Sequence, residues 1–155
     1  MTSGNWPDLA GRIEGETHIL PIRVYYEDTD FAGHVYHANY LKFCERGRSD
    51  FIRLGLGIDH QSLAAAKMGE PDVFVVRHIE IDYLKPAQVD EVLEVVTRCA
   101  HIGGASLVLA QEVRRGETVV ARARVTVVLV SSTGKPQRIG VLIRSSLERF
   151  VNQRA

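Results

Sequence analysis

The chain has 155 residues, with 19 Lys plus Arg set against 19 Asp plus Glu, so its formal net charge is zero. That length supports one domain able to bury roughly 68–70% of its unfolded surface. The charge balance excludes the basic footprint of a nucleic-acid binder, and no apolar run approaches the ~20 residues that a membrane span needs, so no transmembrane segment is expected.

Residues 1–17 are polar and contain glycine, without the basic start and apolar stretch of a signal peptide. They read as a partly ordered tail ahead of a single domain over residues 18–152. Residues 18–26 predict a strand, its apolar content supplied by Ile19, Leu20, Ile22 and Val24, with Pro21 placing it near a strand start or an edge. Tyr25 and Tyr26 would straddle that strand, one facing in and one out. A turn with three carboxylates follows: Glu27, Asp28 and Asp30.

A helix is expected over about 37–54. Tyr40, Leu41, Cys44, Gly47, Phe51 and Leu54 recur mostly at three- and four-residue steps, the stripe of a helix packed on one face. Gly55 and Gly57 are read as its stop. Asp59 then caps a short helix over 61–68. From Pro71 the period changes to two, and four strands are predicted over 73–84, 89–100, 105–115 and 118–131. Their links are short (Lys85-Pro86-Ala87, Ile102-Gly103-Gly104, Arg115-Gly116-Glu117), which predicts an antiparallel four-strand meander. A last helix is expected over about 141–151. The architecture is α+β, one long helix covering one face of a five-stranded antiparallel sheet. Cys44 and Cys99 are too few for a disulfide scaffold and too far apart for a zinc pair. They read as buried free thiols of a cytoplasmic protein.

The chemistry concentrates in the turn. An aspartate there can attack a carbonyl carbon or deprotonate an attacking water. Asp30 is the candidate, with a plain turn-capping role as the alternative. Gly33 permits a positive φ or the close approach of a ligand. The N–H groups of Val35, Tyr36 and His37 would then lie at the helix start, where they can polarise a carbonyl oxygen. Asn39 can fix the turn by a hydrogen bond across it, and Tyr40 is expected to pack on the sheet. His34 and His37 are three apart but lack a third ligand, so no metal site is read there. A calcium loop starting at Asp28 fails at Ala32 and Asn39. No cofactor is implied.

Arg23-Val24, Thr29-Asp30 and Gly33, followed by Val35-Tyr-His-Ala-Asn-Tyr40, closely resemble the active-site signature of the 4-hydroxybenzoyl-CoA thioesterase family. Tyr25-Tyr-Glu-Asp-Thr-Asp30 and Tyr36-His-Ala-Asn-Tyr-Leu-Lys-Phe43 look like its Tol–Pal-associated acyl-CoA thioesterase subgroup. Val76-Arg77, Tyr83-Leu-Lys-Pro86, Asp90 and Gly104-Ala-Ser-Leu-Val108 extend the likeness over residues 19–143. The resemblance implies a hotdog fold and hydrolysis of an acyl-CoA thioester to a carboxylic acid and free CoA. It implies Asp30 as the catalytic carboxylate and the His37 N–H as the contact to the thioester carbonyl. Tyr25 or Tyr26 and the His37 side chain would line the site. It further implies homodimers whose sheets join, often paired into tetramers, with the CoA phosphates near Lys85, Arg114, Arg115 or Arg138. Acyl carrier protein is a further candidate partner, although a neutral chain offers it no strong basic face. The sequence departs from the family pattern at Phe31, at His34 and at Arg138-Ile139-Gly140. A dehydratase pairing His37 with Asp30, or a non-catalytic acyl-thioester binding module, are the competing readings.

Overall fold

The computed structural model describes residues 6, 8–57 and 72–151. The helix expected over 61–68, with its cap Asp59, lies outside the described residues. Within them the elements are β1 (Arg12–Glu14), β2 (Thr17–Arg23), a single 3-10 turn (Tyr26–Asp28), α1 (His37–Leu56), β3 (Val73–Tyr83), β4 (Val92–Ile102), β5 (Ser106–Arg115), β6 (Thr118–Val130) and α2 (Val141–Glu148).

α1 has 20 residues and no proline, a length of about 30 Å. Tyr40, Phe43, Cys44, Gly47, Phe51 and Ile52 are buried at three- and four-residue steps on the face turned to the sheet. Gly47 sets how closely the helix lies. A Cβ there would come within 2.6 Å of Val95 Cγ1 and 3.1 Å of Gln111 Nε2. Gly55 does not stop the helix as expected; it is a helical residue over which the Phe150 ring packs, 3.1 Å from where a Cβ would sit. Gly57, in the left-handed conformation at φ +70°, ends it.

Among the described residues the sheet has six strands, in the order β1-β2-β4-β5-β6-β3, with every neighbouring pair antiparallel. Two expectations change here. The sixth strand comes from the supposed tail, where Arg12–Glu14 folds back onto β2. The meander also breaks at its first link, because β3 pairs with β6 at the far edge and β2 takes the place beside β4. Leu84 and Lys85 still donate to Val120 O on β6, at 2.9 and 3.1 Å, so the chain crosses the sheet end only after them. Residues 84–91 are long enough for that crossing, which a count of Lys85-Pro86-Ala87 alone does not show.

β6 keeps its predicted alternation: Ala121, Ala123, Val125, Val127 and Leu129 are buried, while Arg122 and Arg124 are exposed. α2 closes the far end of the core with Leu147, and the Phe150 ring just past it stands 5.0 Å from Phe51 in an edge-on contact. Cys44 and Cys99 are both buried free thiols, each pushed up to about 11 chiefly by burial. Among the described residues no helix is long and apolar enough to cross a membrane.

Candidate active site

The chain leaves the sheet at Val24, which is held to the β3–β4 link by Val24 N–H to Glu91 O and Asp90 N–H to Val24 O, both 2.8 Å. Tyr25 and Tyr26 therefore do not straddle a strand. Tyr25 caps the 3-10 turn and Tyr26 opens it, and they are 60% and 86% exposed. Asp28 caps that turn: its Oδ2 accepts the Tyr25 N–H at 2.8 Å. Thr29 then bridges Val35, which makes residues 29–35 a tight hairpin.

Asp30 opens the hairpin loop. Its N–H donates to His34 O at 2.8 Å, its C=O accepts the Gly33 N–H at 3.0 Å, and its Oδ1 accepts the Ala32 N–H at 2.9 Å. This is an aspartate turn of the kind that orders such loops. One carboxylate oxygen is thus used locally; among the described residues Oδ2 has no partner. Gly33 has φ +83° and open space where a Cβ would lie, so conformation rather than room demands the glycine. The three carboxylates have different surroundings. Glu27 is exposed, Asp28 holds the 3-10 turn, and Asp30 stands exposed on the loop.

The expectation that the N–H groups of residues 35–37 all face a ligand is corrected. Val35 N–H donates to Ala87 O at 2.8 Å and Tyr36 N–H to Asp28 O at 2.9 Å. Asn39 N–H turns back to Tyr36 O at 2.8 Å. The N–H groups left at the opening of α1 are those of His37 and Ala38, which have no preceding turn of helix to receive them. His34 lies on the returning arm, half-buried, and bridges Gln88.

Val35, His37, Tyr40, Tyr83, Lys85 and Pro86 line a groove of about 240 Å³ beside the helix start. The His37 ring sits 4.6 Å from the Tyr36 ring and 5.9 Å from Tyr83, both edge-on. Tyr40 packs inward on Phe43 and Tyr83, with ring centroids 6.0 and 5.7 Å away. Among the described residues its buried hydroxyl makes no hydrogen bond of normal geometry, and burial raises its pKa. Tyr83 was not singled out as a site residue in the sequence. It ends a strand 43 positions after Tyr40, and the pairing of that strand with β6 brings the two together. Of the basic residues considered for phosphate, Arg115 is committed to Pro86 O (2.9 Å) and Glu91 (3.1 Å), and Arg114 to Glu112 (3.0 Å). Lys85 lines the groove.

The pattern matches known proteins. The family described as the thioesterase superfamily matches residues 32–122. The acyl-CoA thioester hydrolase YbgC of Escherichia coli O157:H7 is 42% identical over 111 residues, 71% of this chain and 79% of that protein. The acyl-CoA thioesterase YbgC of Haemophilus influenzae is 39% identical over 72% of this chain and 79% of its own. The crystal structure of a probable thioesterase from Bartonella henselae superposes with a TM-score of 0.76 at 44% identity, covering 80% of this chain and 99% of that one. Long helix, antiparallel sheet and matched sequence agree, and the chain belongs to the thioesterase superfamily with its hotdog fold.

Proposed function

We propose that this protein hydrolyses acyl-CoA thioesters to a carboxylic acid and free CoA. The observation that carries the reading is the hairpin itself. It holds a carboxylate with one oxygen unengaged among the described residues on the outgoing arm, and its returning arm runs directly into the helix whose first N–H, that of His37, has no partner among those residues. A thioester carbonyl oxygen received by that N–H gains stabilisation as charge develops on it. Asp30 either attacks the carbonyl carbon, releasing the CoA thiolate and leaving an anhydride that water opens, or takes the proton from a water that attacks in its place.

Within the superfamily we assign the chain to the 4-hydroxybenzoyl-CoA thioesterase family and its Tol–Pal-associated acyl-CoA subgroup. Tyr25 to Asp30 and Tyr36 to Phe43 are the residues that support this. Tyr25, Tyr26, Gly33, Val35, Tyr36 and Asn39 surround the reacting group or fix its surroundings. Lys85 at the groove meets a CoA phosphate. We infer a homodimer, with dimers paired further into tetramers. Its support is β3, an eleven-residue edge strand with Val73, Val75 and Val76 exposed, a kind of edge that proteins seldom leave open. Phe31, fully exposed beside Asp30, also calls for cover. The two free thiols fit a reducing compartment, the cytoplasm.

The test is release of free thiol from short, long and aromatic acyl-CoAs by the purified protein. Hydration of an enoyl thioester without thiol release would favour the dehydratase reading, and tight binding without turnover the sensor. Turnover in oxygen-18 water probes the route: label in the Asp30 side chain supports nucleophilic attack, and its absence over many turnovers counts against it.

A further inference from the structure

Arg48 is the one buried guanidinium among the described residues, at 8% exposure. Its Nη1 donates to Gln111 Oε1 at 3.1 Å. Gln111 is in turn fixed by two bonds from Nε2, to Cys44 O and to Thr97 Oγ1, both 2.9 Å. Among the described residues Arg48 makes no ion pair. A buried cation without a carboxylate partner is costly, and a guanidinium carries five donors, of which this network uses one. The rest of the side chain borders a groove of about 350 Å³ walled by Phe74, Val76, Leu109 and Val127, with Ile52 on the helix side. Glu45, exposed at the rim, is the other charged group lining it.

This groove is aligned with the one at the helix start. His37 and Arg48 are eleven residues apart on α1, three turns, so they share a helix stripe about 16 Å apart. β3 flanks the same stretch. A bulge between Val76 and His78 resets its alternation, which keeps Phe74 and Val76 on the helix side together with Ile79, Ile81 and Tyr83. Phe74, Ile79 and Ile81 pack against the core from there, while Val76 and Tyr83 line the two grooves. An apolar wall thus runs from the His37 end to a guanidinium.

We propose that the acyl chain of the thioester runs along α1 beneath β3 and that Arg48 receives an acceptor oxygen at its far end, so that the preferred substrates are acyl-CoAs carrying a distal carboxylate. This rests on the thioesterase reading for the position of the thioester. Guanidinium and carboxylate form paired, charge-assisted hydrogen bonds. A site built to make such bonds discriminates against the chain that lacks the oxygens, because its own donors are then left unpaired.

The experiment compares pairs of acyl-CoAs of equal length, with and without a terminal carboxylate, in two readouts. Binding is measured by calorimetry with thioether analogues that cannot be hydrolysed, and turnover by thiol release. The wild-type protein should favour the carboxylated member at the matching length by about 10–100-fold in binding and in kcat/KM. Arg48→Met should abolish that preference while still accepting the plain chain, and Arg48→Lys should restore part of it. Equal affinity for both members across all lengths in wild type overturns the proposal, whether or not the variants fold. So does a loss in Arg48→Met that falls equally on both members. Preferential binding without any thiol release would sustain the Arg48 site and refute the hydrolase reading.

Discussion

The Asn39 side-chain amide donates to the Asp28 main-chain oxygen at 2.8 Å, and that same oxygen accepts the Tyr36 N–H at 2.9 Å. One carbonyl thus ties the first turn of α1 to the arm that carries Asp30. The bond is local, but it fixes where the His37 N–H stands relative to the loop. Asn39→Ala should cost about 1 kcal/mol of stability, the net worth of one hydrogen bond, with a melting temperature lowered by a few degrees. The loss in kcat should be disproportionate, about tenfold or more, because small displacements of reacting groups are expensive. Calorimetry beside steady-state kinetics checks the split; loss of stability with unchanged kcat would assign Asn39 to folding alone.

Gly47 tests how the helix is seated. A methyl group there would press on Val95, Gln111 and Thr97, the nearest atom 2.6 Å away. Gly47→Ala should therefore destabilise the fold by about 1–3 kcal/mol through overpacking, despite alanine's higher helix propensity. Chemical denaturation measures it. A gain in stability would mean that the helix lifts from the sheet at no cost.

His18 gives stability a pH dependence. It is fully buried on β2, its Nε2 lies 2.6 Å from Ala10 O, and its buried Nδ1 has no partner among the described residues. Burial lowers its pKa below the ordinary 6.5, outweighing the Ala10 carbonyl and Asp50, which pull it up. The unfolded chain therefore takes up the proton first as pH falls. The stability owed to neutral His18 is complete above pH 6.5 and is lost as pH drops from there toward the folded value. Melting temperatures between pH 8 and pH 5 should show the decline (a range set around the ordinary imidazole value, about 6.5). His18→Gln should flatten that part of the curve, and an unchanged slope in the variant would move the cause to another group.

The helix and β6 were legible because periodicity is local: Tyr40 to Phe51 repeat every three or four residues, and Ala121 to Leu129 every second. The position of β3 was not. Its pairing with β6 depends on β2 claiming the slot beside β4, a non-local pairing in which Arg23 meets Val92 and His18 meets Thr97. The same non-local step hid Tyr83 from the site and Arg48 from the groove, since both look like ordinary residues until the sheet closes over α1. Asp30 and Gly33 were legible because a turn needs few neighbours. The commitment of the Val35 and Tyr36 N–H groups was not, because Ala87 reaches Val35 only through the β3–β4 link. Gly55 misled for the opposite reason: glycine near a helix end usually marks a stop, and here it makes room for Phe150.

In the proposed function Asp30 performs the chemistry and does not merely order its loop. Asp30→Asn separates the two roles, because the amide oxygen can still accept the Ala32 N–H that Oδ1 now receives at 2.9 Å, while nucleophile and base are lost. The decisive measurement is kcat for thiol release by Asp30→Asn on the best acyl-CoA, with fold and oligomeric state monitored in the same sample. The expected result is a loss of about 10²–10⁴-fold with the melting temperature nearly unchanged. Full activity in a folded Asp30→Asn protein would contradict it.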